Sequence, residues 1–325
     1  MFRMDEFSFI DSIRQPSYCQ AGLVKGIGDD AAVIRHASQD LVTAVDTVVE
    51  SVHFLRKTMD PYHIGYKALA SNISDLAAMG AQPAYYLVSL VRSSEWTDDE
   101  IQEIFIGMKE LARAHQMDLI GGDTVSGSVL MLSVTVIGLV EPGKSRYRSD
   151  AREGDVVFVT GTLGDSQAGL HLLLHDEADP DGSVFIDRHQ MPSPRAAFAL
   201  KLRPLSRVAL NDISDGISSE ANEIADSSGV DLYLEEKQIP VHTGLQRFPR
   251  ELQEQWVLAG GEDYELIGTV SPAEWPLVRQ AAADLQLKVT QIGHVAAKQQ
   301  EQGAVYIRKQ GAYELLEKKG YNHFK

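Results

Sequence analysis

Cysteine is all but absent from this sequence: Cys19 stands alone among 325 residues, which excludes a disulfide framework or a thiolate metal cage within one chain. A reducing cytoplasm fits that usage. Long apolar runs are missing as well. No stretch reaches the roughly 18 residues that span a bilayer, and Met1-Phe-Arg-Met-Asp-Glu-Phe7 lacks the apolar core of a signal peptide. The expected location is therefore the cytoplasm, away from membranes. Basic charge is scarce, with 30 Lys and Arg against 46 Asp and Glu and a net charge of -16. Neither nucleic acid nor an anionic membrane gains counterion-release energy from such a partner, and an anionic substrate needs cations as bridges. Three nucleotide signatures are absent too: Gly-x-x-x-x-Gly-Lys-Ser/Thr, a kinase Asp-Phe-Gly set, and a strand-linked Gly-x-Gly-x-x-Gly.

What is present is a recurring union of glycine and carboxylate. Gly26-Ile-Gly-Asp-Asp-Ala-Ala32 sets two carboxylates side by side on a mobile backbone, where they repel unless water or a cation intervenes. Alone it reads as a solvated turn. More acids follow: Asp46 after an apolar run, Asp75 in a helical pattern, Asp123 after Gly121-Gly122, and Asp212 and Asp215 in Asp-Ile-Ser-Asp-Gly216. Gly260-Gly-Glu-Asp-Tyr-Glu-Leu266 repeats the theme. These glycine-acid turns have no fixed period, which excludes a solenoid.

The chain length and alternating patterns predict two α/β domains, divided just after Glu141-Pro-Gly-Lys144 into residues 1–145 and 146–325. Residues 5–14 read as a short helix ended by Pro16. Ala32–Ile34 and Leu41–Val45 read as a hairpin, and Asp60-Pro61 opens a helix that Gly80 closes. Asn72 and Asp75 share a face of that helix, where the amide is expected to orient the carboxylate. Thr97 caps the next helix, in which Phe105 reads as core. Gly121-Gly-Asp123 is expected at a strand end, and Val129–Val140 as a strong strand. Arg146, Arg148 and Arg152 are candidates for phosphate oxygens, with salt bridges the commoner use of such side chains. Oxygen-only ligands of this kind suit hard cations such as magnesium. Phosphoryl transfer needs placement and charge neutralisation more than a nucleophilic side chain. The residues alone thus point to a metal-dependent, phosphate-handling enzyme.

Seven motifs in order resemble the thiamine-monophosphate kinase family almost end to end. They are Gly26–Ala32, Asp46-Thr-Val-Val-Glu-Ser-Val-His-Phe54, Asn72-Ile-Ser-Asp-Leu-Ala-Ala-Met-Gly80, Gly121-Gly-Asp-Thr124, Asp212–Gly216, Gly260–Leu266 and Gly320-Tyr-Asn-His-Phe324. Together they separate the chain from the wider superfamily of aminoimidazole ribonucleotide synthetase, selenophosphate synthetase and hydrogenase-maturation proteins. The resemblance implies transfer of the ATP γ-phosphate to thiamine monophosphate with no dedicated side-chain nucleophile. It implies several magnesium ions held by Asp30, Asp46, Asp75, Asp123, Asp212 and Asp215. ATP contacts are implied from Phe105, Gly122, Asp123, Arg148 and Ser214, and substrate contacts from His53, Glu262 and Tyr321. The implied fold is an ATP- and metal-binding N-terminal α/β domain whose sheet joins that of a second subunit in a dimer barrel, followed by a C-terminal α/β domain. The chain departs from the family at Ala44-Val45, where Ser or Thr often precedes the aspartate, and at Phe105, often Tyr. Two other readings are another superfamily ATP-dependent synthetase and a non-catalytic metal- or nucleotide-binding subunit. Cys19 lacks the context of a selenophosphate-synthetase cysteine.

Overall fold

The computed structural model describes residues 23–25, 32–36, 38–175 and 182–321. Cys19, Asp30 and the helix expected over residues 5–14 lie outside these. The first sheet is built from β1 (Leu23–Lys25), β2 (Ala32–His36), β3 (Gln39–Val49), β4 (Gln82–Arg92), β5 (Asp118–Ser126) and β6 (Met131–Val140), in the order β1-β2-β3-β6-β4-β5. Its pairs are antiparallel except β4 with β5. Alternation in β6 buries Leu132, Val134 and Val136 on one face, as period-2 patterning dictates.

That buried face is covered by α1 (Pro61–Ala78) and α2 (Asp98–Ala114). Asp60 caps α1 by accepting the His63 amide, Pro61 occupies the first turn, and Gly80 follows the C-terminus with φ +67. Thr97 and Glu100 form a reciprocal capping box on α2. The two helices cross closely enough for glycine alone: a Cβ on Gly65 would lie 1.8 Å from the Ile104 carbonyl oxygen, and one on Gly107 2.0 Å from that of Tyr62.

The second sheet contains β7 (Val156–Thr160), β8 (Ala209–Ile213), β9 (Val230–Glu235), β10 (Glu265–Val270), β11 (Val289–Ala297), β12 (Val305–Lys309) and β13 (Ala312–Leu315). Their order is β13-β12-β9-β11-β7-β10-β8. Around it lie α3 (Asp165–His175), α4 (Gly182–Gln190), α5 (Ala196–Lys201), α6 (Ile217–Ser228), α7 (Arg250–Ala259) and α8 (Trp275–Ala283). Strands β7, β8 and β10 are buried along their whole length: β7 and β10 are central, and β8, at the sheet's edge, is covered by α1 and α6.

Helix α1 does more than cover its own sheet, because it also touches β8, α4 and α5 of the second half. Arg146, 4 % exposed, fastens the connecting segment to the same region. Its backbone amide donates to the Met79 carbonyl and its Nη2 to those of Leu202 and Leu205. Arg146 therefore ties the connecting segment to both halves through its amide and Nη2. The glycine pair Gly121-Gly122 differs from expectation. It lies inside β5, in parallel register with Leu87 and Val88, because tertiary pairing overrides the turn preference of glycine.

Candidate active site

The two halves enclose a cleft of about 720 Å3. Its first wall comes from β3, the turn after it and α1, which contribute Asp46, His53, Lys67, Ser71 and Asp75. The positions 67, 71 and 75 recur every fourth residue, so one stripe of α1 faces the cleft. The opposite wall comes from the ends of β8 and α7 and the turn before β10, with Asp212, Ser214, Asp215, Glu262 and Tyr264. Gly320 and Tyr321 close one rim, and Tyr321 is 48 % exposed.

Hydrogen bonds fix these groups. Asp212, nearly fully buried, accepts the Ser74 hydroxyl at 2.8 Å and so ties β8 to α1. The Asp46 amide donates to Asn72 Oδ1 at 3.0 Å, and Asn72 Nδ2 donates to the Ala68 carbonyl. Asn72 thus anchors the strand carrying Asp46, where the sequence reading had it orient Asp75. His53 Nδ1 accepts the Val49 amide at 3.0 Å, which places the proton of a neutral ring on Nε2. Glu262 sits at φ +70 with its amide donating to the Ser214 carbonyl at 2.7 Å. A Cβ on the preceding Gly261 would approach that same carbonyl oxygen to 2.6 Å, so the two acidic loops meet only because position 261 has no side chain.

The electrostatics record the crowding. Burial, and after it the Asp212 charge, push the Asp46 carboxyl up to about 6, partly offset by a hydrogen bond with Ser71. The Tyr264 hydroxyl is driven well above its usual range by burial and then by Glu262, Asp46, Asp212 and Asp75. Lys67 alone among the described Lys and Arg residues lines the cleft. No three His, Cys, Asp or Glu side chains among the described residues stand close enough to cage an ion by themselves. An oxygen-only donor set with mutual repulsion fits magnesium that completes its coordination with water and polyphosphate oxygens.

The structure therefore brings Asp46, Asp75, Asp212, Asp215, Ser214, His53, Glu262 and Tyr321 to one cleft. It leaves others elsewhere. Gly122 and Asp123 lie on the exposed strand β5, where Asp123 Oδ1 accepts the Thr124 amide. Phe105 packs on the first core. Arg148 donates through Nε to Asn211 Oδ1 at 3.0 Å and pairs with Glu223 at 3.1 Å. Lys67, Gln167 and Tyr264 line the cleft without having been singled out from sequence. The fourfold spacing back from Asp75 was a signal for Lys67; Gln167 had none.

Two α/β domains meeting at an acidic cleft define the AIR synthase-related class. The models of that class match here: its N-terminal domain over residues 28–140 and its C-terminal domain over residues 152–305. The thiamine-monophosphate kinase of Bacillus subtilis is 47% identical, covering 99% of this chain and 100% of its own. That of Escherichia coli K12 is 38% identical over 92% of this chain and 91% of its own. The solved structure of AaThiL complexed with AMPPCP and TMP aligns with a TM-score of 0.84 at 31% identity, covering 99% of this chain and 97% of that one. The chain belongs to the thiamine-monophosphate kinase family.

Proposed function

We propose that this protein transfers the γ-phosphate of ATP directly to the phosphate of thiamine monophosphate, yielding ADP and thiamine diphosphate. The observation that carries the reading is the cleft itself, which gathers Asp46, Asp75, Asp212 and Asp215 opposite an aromatic and carboxylate rim at Tyr321 and Glu262. Bound magnesium would supply neutralisation for phosphates that these carboxylates alone repel. The chain's own residues position: Asn72 and Ser74 hold Asp46 and Asp212, and the carboxylate of Glu262 and the ring of Tyr321 suit a cationic thiazolium. ADP release that requires thiamine monophosphate tests the activity; ADP release without it would favour a synthetase or a simple nucleotide-binding role.

The domain boundary is placed after residue 145, supported by the gap between β6, ending at Val140, and β7, starting at Val156. The cytoplasm is the proposed location, in keeping with the absence of any described helix long and apolar enough to cross a membrane. A homodimer joined through the first sheet is supported by the apolar side chains this sheet leaves exposed, among them Leu119, Ile120 and Val125. In that assembly Gly122 and Asp123, on β5, reach nucleotide at the paired sheets. Sedimentation should give about twice the chain mass, and Ile120→Glu should shift it toward monomer; a monomeric wild type overturns the dimer.

Tyr321→Ala should raise the Michaelis constant for thiamine monophosphate by roughly five- to thirtyfold, from about 1 to 2 kcal/mol of lost cation–π contact. The constant for ATP should barely move. Equal effects on both substrates in steady-state kinetics would make Tyr321 a tail anchor instead.

A further inference from the structure

We propose that Lys67 is the positioning residue that prepares Glu262 for the cationic part of the substrate, an assignment that rests on the kinase reading above. Lys67 is 5 % exposed and belongs to α1 in the first half, yet its ammonium donates to Glu262 Oε2 in the second half at 2.8 Å. Buried ion pairs are poor stabilisers, because desolvating both charges consumes most of the attraction. Stability alone therefore does not account for this one on a cleft wall.

The surroundings fix both partners. The backbone of Glu262 is held in the left-handed region by its bond to Ser214, strain of a kind that persists where the surrounding structure enforces it. Its Oε2 is taken by Lys67. A quarter of the Glu262 side chain stays exposed in the cleft, where His53 also acts on it. Behind Lys67 lies His189, 1 % exposed, whose Nδ1 is 3.4 Å from the Lys67 ammonium and 3.1 Å from the Ser166 hydroxyl. An ammonium can only donate, so Nδ1 accepts from Lys67 and the neutral ring carries its proton on Nε2, which is buried without a hydrogen-bond partner among the described residues. Burial, and then the Lys67 charge, keep that histidine uncharged, its pKa held to about 3. The ammonium thus has a neutral acceptor on one side and a carboxylate on the other, and its charge is directed at Glu262. One carboxylate oxygen is tied, and the exposed part of the group faces the cleft.

This assignment reverses what simple charge counting gives. Lys67 is a cation beside a site for a cation, so if it were a mere neighbour its removal would tighten substrate binding. If it positions Glu262, Lys67→Met leaves a buried carboxylate that takes up a proton or turns away, and binding weakens. The test is a double-mutant cycle on the full-length protein with steady-state kinetics in each substrate. Glu262→Gln and Lys67→Met should each raise the Michaelis constant for thiamine monophosphate about tenfold, with the constant for ATP within about twofold. The pair together should also give about tenfold, since Lys67 acts only through Glu262. A multiplicative loss near a hundredfold would mean that Lys67 touches substrate itself and would overturn the assignment. So would a Michaelis constant unchanged or lowered in Lys67→Met. If Lys67→Met does not fold, Lys67→Met/Glu262→Gln, which buries no unpaired charge, decides alone against Glu262→Gln: the same constant supports the assignment, a higher one overturns it. Wild-type protein without substrate-dependent ADP release would instead refute the kinase reading.

Discussion

Asp212→Asn is expected to lower kcat on the order of 10^3-fold while leaving the metal-free protein at least as stable as wild type. Asparagine keeps an acceptor for the Ser74 hydroxyl, so the link between β8 and α1 survives. What disappears is the charge that, after burial, helps push the Asp46 carboxyl up to about 6. The sign follows from proton linkage. A folded carboxyl that titrates near 6 against an ordinary 3.8 holds a proton that the unfolded chain releases between those values. Stability is therefore lost as pH rises through that window, and above it the native state carries the full penalty of the crowded anions. Removing Asp212 relieves part of that penalty at neutral pH. Thermal melting with chelator and steady-state turnover with magnesium check both halves, and a large fall in the metal-free melting temperature would make Asp212 a structural residue.

Removing magnesium should weaken ATP binding at least about a hundredfold. A polyphosphate entering the cleft faces Asp46, Asp75, Asp212, Asp215 and Glu262, with Lys67 as the single lining Lys or Arg among the described residues. Two like unit charges about 5 Å apart at an effective dielectric near 20 repel by about 3 kcal/mol, and a hundredfold loss corresponds to about 2.7 kcal/mol. One such uncompensated pair is enough. Titration calorimetry with and without chelator measures this directly, and ATP affinity indifferent to magnesium would remove the aspartates from nucleotide binding.

Local chemistry was legible in the sequence wherever it decided the outcome by itself. Asp60-Pro61 and Gly80 bound α1, and Thr97 opens α2, because caps and the first-turn preference of proline are properties of a few adjacent residues. The extent of β5 was not legible, since Gly121-Gly122 carry turn preference and continue the strand only through their pairing with β4. Helix α7, β12 and β13 were also missed. In the site, Asp123 and Asp215 were visible through their glycine neighbours, Asp46 through the apolar run before it and Asp75 through its helical pattern, but the companions of each were not. Asp46, Asp75 and Asp212 share a cleft because α1 packs against β8, whereas Asp123 sits on an exposed strand with the same local signature. The pairing of Lys67 with Glu262 joins positions 195 residues apart, beyond any local pattern.

Helix α1 grips the second half of the chain at two places, Lys67 to Glu262 and Ser74 to Asp212. The step of seven residues from one grip to the other corresponds to about 10 Å of helix. Between them α1 packs on β8 and α5, and one apolar core runs unbroken from Leu76 through Phe198 to Leu210, so the two halves form one body. Glu262 and Asp212 are therefore hung from one beam, and the spacing between the two ends of the cleft is set by the rise of a single helix.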